Sequence, residues 1–246
     1  MNFNRERSLL FRRMGKDVVK ALQESKVILA GGAITSLFTS TRISDWDLYF
    51  RDKEGLEKCD KFFQGKGKRE FVTDRSVTYS VAKQKIPYQM IIYLEKLSGE
   101  PAEIFTKFDF TICMGAFDFS TNEFVFHEEF WKHLSQRRLV FNGSTLYPIV
   151  SMMRSHKYAR RGFVISGIDI MKIALSVQAL RIDTFADLKD QLMGIDTAFL
   201  KDLTDRFTEG AEAEKNYELD IFIGILDKFL DEQYEKLGTA EEEDSN

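Results

Sequence analysis

Cysteine and histidine are scarce in this sequence, positive charge is not in excess, and long apolar runs are missing. Each shortage excludes a class of protein. Two cysteines, Cys59 and Cys113, are too few for a disulfide framework or a four-thiolate zinc site. Three histidines, His127, His133 and His156, argue against a zinc enzyme. Basic residues number 35 against 39 acidic ones, a net charge of −4, so the chain does not coat nucleic acid by bulk positive charge. A local basic patch remains compatible with that balance. No stretch approaches the roughly 18 apolar residues of a membrane span. The amino-terminal segment is charged and lacks the apolar core and small-residue cleavage site of a secretory signal. The expectation is a soluble, cytoplasmic protein with no membrane partner.

What is present is a chain able to fold. Its 246 residues are 43% hydrophobic and 13% aromatic, with 22 Phe, which supports a sizeable core and excludes a disordered chain. The length fits one or two domains, two being favoured.

Apolar residues recur at helical spacing from Arg5 to Glu24, predicting one amphipathic helix. Val27 to Ala30 reads as a short buried strand ending in Gly31-Gly32, and Ile34 to Phe38 as the start of a second helix. Asp45 to Phe50 reads as a strand and Glu54 to Phe63 as a helix. Strand signals follow at Phe71-Val72, Val77 to Val81 and Tyr88 to Leu94. Pro101 opens a helix that Ala102 to Phe108 continues. Phe110 to Phe117 and Glu123 to Phe126 read as strands, and Glu128 to Arg138 as a helix. Past Gly143 strand signals stop, and helices are expected over Leu146 to Ala159, Ile168 to Leu180, Phe185 to Met193, Thr197 to Phe207 and Tyr217 to Leu237. The expected organisation is an α+β head over residues 1–143, a helical domain over 144–240 and an acidic tail over 241–246.

The stretch from Leu29 to Phe50 carries the chemistry. A strand that runs into two glycines and a helix lets a ligand approach the backbone, with helix N–H groups aimed at it, an arrangement suited to phosphate. The same pair also serves as an ordinary tight turn. Asp45 and Asp47, at i and i+2 on a strand, share a face. Two carboxylates on one face repel unless they are solvated or bridged by a cation. Magnesium takes oxygen ligands, commonly one or two carboxylates plus substrate phosphates. The alternative is a pair of surface residues on an edge strand. Trp46, Leu48 and Phe50 mark the opposite face as buried, which weighs against it.

Gly-Gly, a short helix and Asp-x-Asp on a strand together resemble the signature of the DNA polymerase beta-type nucleotidyltransferase superfamily. The interval from Gly32 to Asp45 is similar to that of the tRNA CCA-adding and bacterial poly(A) polymerase branch. Lys107-Phe108-Asp109-Phe110-Thr111-Ile112-Cys113 resembles that branch's Arg-Arg-Asp-Phe-Thr-Ile-Asn motif. Arg154 to Phe163 resembles its neck helix, one residue shorter. The three blocks run from Gly31 to Phe163 in the branch's order. The resemblance implies a head with a mixed β-sheet flanked by helices. It implies two magnesium ions on the Asp pair, and transfer of a nucleoside monophosphate from an NTP with release of pyrophosphate. Thr35-Ser36 stands where the branch has Arg-Asp, and Lys107-Phe108 replaces the paired arginines. These departures fit a divergent member, of the kind found in a phage or mobile element, better than CCA addition itself.

Asp109 is open to three readings: a third metal carboxylate and general base, a ribose contact as in the resembling branch, or a helix-end residue without a catalytic role. It is placed in the site, with Asp45 and Asp47, as a catalytic and metal residue. Gln89, which cannot act as a base, and Asp118, which suits a turn, are weaker candidates. Gly31, Gly32 and Ser36 are expected to contact nucleotide. So are Arg154, Lys157 and Arg161, which present cations from the neck helix and would line a cleft between the two domains; a solvated basic face is the alternative. The leading function is a magnesium-dependent, NTP-binding (ATP-type) nucleotidyltransferase. Its acceptor would be RNA, such as a tRNA 3′ end, or a protein or small molecule. The alternative is a catalytically inactive nucleotide- or RNA-binding module on the same fold.

Overall fold

The computed structural model describes residues 3–73, 75–92, 100–192 and 223–224. The chain divides into two compact units. One is Met1–Leu146 with Ser151–Ala174, and the other is Tyr147–Val150 with Leu175–Asn246. Among the described residues no helix is long and apolar enough to cross a membrane.

The first unit opens with α1 (Asn4–Met14) and α2 (Lys16–Glu24). The single expected helix is therefore two. The break is Gly15, at φ +83° and ψ 154°, a backbone geometry that glycine adopts without the steric penalty of a Cβ. Then come β1 (Ile28–Ala30), α3 (Gly32–Thr39), β2 (Trp46–Tyr49) and α4 (Lys53–Lys66). These are followed by β3 (Gly67–Val72), β4 (Ser76–Val81), β5 (Tyr88–Ile91), α5 (Pro101–Phe105), β6 (Gly115–Asp118), β7 (Glu123–Phe126), α6 (Phe130–Ser135) and β8 (Arg138–Leu139). The neck region supplies α7 (Pro148–Ala159), β9 (Val164–Ile165) and α8 (Gly167–Gln178), and α9 (Phe185–Leu192) lies in the second unit.

Seven strands form one mixed sheet in the order β3-β4-β5-β2-β1-β6-β7. Within it β2 and β5 run parallel and the other neighbours antiparallel. Strand alternation sorts side chains to its two faces. One face carries Trp46, Leu48, Tyr88 and Tyr79, all nearly inaccessible to solvent. There Phe63 of α4 packs its ring 4.9 Å from Tyr88 and 5.6 Å from Tyr79, and Phe11 of α1 lies 5.6 Å from Phe117. The other face carries Ile28, Ala30, Tyr49 and Ala116, roofed by Ile104 and Phe105 of α5 and by Phe108. Asp47 alternates onto this second face with Tyr49.

Two further expectations need correction. The strand expected over Phe110–Phe117 is a bridge at Phe110 to Phe141, a 3-10 turn over Thr111–Cys113 and then β6. Side-chain bonds take the segment out of the ladder: the Thr111 hydroxyl pairs with His133 Nδ1 at 2.8 Å, and Thr35 Oγ1 donates to the Ile112 carbonyl. Strands also do not end at Gly143, because β9 pairs in parallel with β8. Two residues are too few to show a period of two.

In the second unit α9 starts with a reciprocal cap. The Asp187 N–H donates to Thr184 Oγ1 at 3.2 Å and the Thr184 N–H to Asp187 Oδ2 at 2.9 Å, satisfying two of the donors a helix start leaves open. The helix expected over 197–207 and the tail over 241–246 lie outside the described residues. So does the helix over 217–237, except Ile223 and Gly224, which are helical.

Candidate active site

β1 delivers the chain into Gly31, which sits at φ +92° and ψ −149°, strained for any residue with a Cβ. Its N–H donates to the Gly115 carbonyl at 3.1 Å, pinning the turn to β6, and its carbonyl accepts from the Ile34 N–H as α3 begins. The first amides of a helix have no partner within it and carry the positive end of its dipole. A Cβ on Gly31 would lie 3.5 Å from Asp47 Oδ2 and 3.5 Å from the Phe108 ring. Turn, carboxylate and ring thus meet at ordinary van der Waals distance.

Asp47 is on β2, partly buried, while Asp45 is partly buried one residue ahead of the strand. Trp46 between them is 1% exposed on the opposite face. Gln89 stands in register with Asp47 on the parallel neighbour β5, and its Nε2 donates to Ser76 Oγ at 3.2 Å. Two carboxylates beside a glycine turn that opens a helix are a fitting donor set for magnesium, whose other ligands would be phosphate and water oxygens.

Asp109 has a different setting. It is 1% exposed, and its Oδ2 accepts from Arg154 Nη1 at 3.1 Å, while its Oδ1 is buried without a hydrogen-bond partner. Among the described residues no group of three or more His, Cys, Asp or Glu side chains is placed to hold a metal; the contact that Asp109 makes is with Arg154. Burial opposes the charge on Arg154, but its acidic neighbours, Asp109 first among them, together outweigh it and hold the guanidinium protonated.

Next along α7 is Tyr158, 4% exposed, whose hydroxyl lies 3.0 Å from Cys113 Sγ and 3.1 Å from where a Gly32 Cβ would stand. Burial, with Asp109 adding to it, pushes the Cys113 thiol up to about 12, and burial raises the Tyr158 phenol as well. Both stay protonated at neutral pH. Arg161, in the turn after α7, donates from Nη1 to Ser36 Oγ at 3.2 Å and from Nη2 to the Arg42 carbonyl at 3.4 Å. Ser36 is thus 2% exposed and taken up by Arg161, and Thr35 is taken up by Ile112. Lys157 and His156 are exposed. The stripe that faces the head is Arg154, Tyr158 and Arg161, and Tyr158 is the member that a search for charges passes over. Its only signal in the sequence is its place four residues after Arg154. Asp118 lies at the far end of β6, gripped by both Arg51 Nη atoms at 3.2 and 2.7 Å and by Ser120.

Solved structures with the same architecture are CCA-adding enzymes. The Thermotoga maritima CCA-adding enzyme complexed with tRNA superposes with a TM-score of 0.54 at 13% identity, over 75% of this chain and 48% of that one. A CCA-adding enzyme complexed with ATP gives 0.55 at 15% identity, over 81% of this chain and 52% of that one. At such identities the likeness establishes the fold, which is that of the nucleotidyltransferases. A protein of Bacillus phage SPbetaL7 called Gabija anti-defense 2 is 37% identical over 96% of this chain. The chain spans 57% of that relative's length. The family model for Gabija anti-defense 2 proteins matches residues 1–137. With the first unit's sheet and glycine turn inside that match, the chain belongs to the Gabija anti-defense 2 family.

Proposed function

We propose that the protein is a metal-dependent nucleotidyltransferase that moves a nucleoside monophosphate from an NTP to an acceptor hydroxyl and releases pyrophosphate. The observation that carries this reading is the approach of Asp47 Oδ2 to the side-chain-free face of Gly31, at the head of α3. A negative carboxylate beside the positive end of a helix is what a cation and a triphosphate would use together.

Asp45 and Asp47 would hold the divalent ion. An ion held by that pair would supply neutralisation of triphosphate charge and activation of the acceptor hydroxyl. The α3 amides donate to phosphate oxygens, and Phe108 walls the turn. Arg161 keeps its positive charge available, since Ser36 and Arg42 offer it neutral oxygens, whereas Asp109 neutralises Arg154. Arg161, with Lys157 exposed beside it, is therefore the better cation for the departing pyrophosphate. The family's name supports a role in counter-defence, and on this reading the acceptor is a component of that defence, an RNA, a protein or a small molecule.

The test incubates the protein with each α-labelled NTP and magnesium, with and without total RNA and host extract. Transfer of label with release of pyrophosphate is expected. Nucleotide binding without transfer under all these conditions would establish the inactive binding module instead, a reading that the buried, committed hydroxyls of Thr35 and Ser36 favour.

A further inference from the structure

The glycine turn can hold a triphosphate only if its amides stand in a fixed place relative to Asp47, and helix starts are where backbones fray. The Gly31 N–H on the Gly115 carbonyl pins the turn to β6 at one point, but neither glycine has a side chain to hold it further. Here the neck region supplies what the turn lacks. The Tyr158 hydroxyl fills the space beside Gly32 and is held there by Cys113 Sγ at 3.0 Å. The ring meets Phe110 and Phe163 edge-on, at centroid distances of 6.1 and 5.8 Å, which fixes its direction. Cys113 closes the 3-10 turn whose Ile112 carbonyl takes the Thr35 hydroxyl. α3 is thus tied to one short turn through Thr35 and through the Tyr158–Cys113 contact. Arg154 on Asp109 and Arg161 on Ser36 clamp the same stripe on either side.

We infer that Tyr158 is a positioning residue for nucleotide binding: its hydroxyl, anchored on Cys113, sets where the first amides of α3 stand relative to Asp47. The inference rests on the nucleotidyltransferase reading, because it needs a ligand for that turn. Tyr158 does not bind phosphate by charge. Burial keeps both the phenol and the thiol protonated, so the pair acts through the backbone it touches.

The test uses the full chain and four proteins: wild type, Tyr158→Phe, Cys113→Val and Cys113→Ser. Three quantities are read: amide hydrogen exchange over residues 32–36, the dissociation constant for ATP with magnesium, and Tm. Tyr158→Phe and Cys113→Val should exchange these amides about tenfold faster and bind ATP about three- to tenfold more weakly, with Tm lowered by about 4 °C at most. Cys113→Ser keeps a hydroxyl partner for Tyr158 and should stay within about twofold of wild type in both measures. Unchanged exchange and affinity in Tyr158→Phe would overturn the inference. So would a loss in Cys113→Ser equal to that in Cys113→Val, which would make the contact one of packing alone. If wild type binds none of the four NTPs, the nucleotidyltransferase reading fails, and Tyr158 with it becomes an ordinary packing residue.

Discussion

Asp47 and Gly31 meet at the turn. A Cβ at position 31 would stand in ordinary contact with the carboxylate, 3.5 Å from Oδ2, so what demands glycine there is the backbone, which keeps φ +92° at low cost only without a side chain. Asp47→Asn preserves shape and removes charge. It should reduce transfer at least about 100-fold while the protein stays folded. Rate and thermal melt measured on one preparation check this. Arg154 and Arg161 separate in the opposite sense. Arg154→Ala strands the buried Asp109 carboxylate and should cost about 2 kcal/mol in denaturant unfolding, moderated because Arg154 is itself 40% exposed. Arg154→Ala with Asp109→Asn should recover part of that loss. Arg161→Ala leaves only neutral oxygens behind, so it should weaken NTP binding more than it lowers stability, and the effect should shrink in high salt.

At the scale of elements, the strands flanking β1 are joined at their far end by Arg51 and Asp118, with side chains 17% and 6% exposed. Burial raises the Asp118 pKa, but the bonds from Arg51 and Ser120 outweigh it and hold the carboxyl below its usual value. Its contribution to stability is therefore full above the unfolded-state pKa of about 4 and is lost as pH falls through the lower folded-state value. Arg51→Ala should be destabilised at neutral pH, and its deficit against wild type should shrink below about pH 4; denaturant midpoints across pH 3–7 (about that span) read this directly. The sequence made these elements legible where periodicity is long or a breaker is strong. Gly31-Gly32, the alternation around Trp46 and Leu48, and the hairpin strand Glu123–Phe126 all stand where the pattern puts them. Gly15 was hidden inside a helical period that continues on both sides of it. The 3-10 turn at Thr111 was illegible because hydroxyl bonds from Thr35 and to His133, both distant in sequence, decide it. For the same reason the Arg154 partner of Asp109, 45 residues away, is not legible in the sequence. Tyr158 emerges only when the neck helix is laid against Gly32.

Over the whole molecule, an acidic chain sets Arg154 and Arg161 on the neck segment, against Asp109 and Ser36 of the first unit. The fold is that of the nucleotidyltransferases, and the chain belongs to the Gabija anti-defense 2 family, whose member from Bacillus phage SPbetaL7 is longer than this sequence. The claim that joins those two facts is that Asp45, Asp47 and the Gly31 turn form a working nucleotidyl-transfer centre. The most direct measurement is magnesium-dependent pyrophosphate release from each NTP by wild type and by the Asp45→Asn/Asp47→Asn variant, at matched fold and concentration. The account predicts release by wild type in the presence of acceptor, abolished in the variant and lost from wild type when monovalent salt replaces magnesium. Equal release by the two proteins would contradict it.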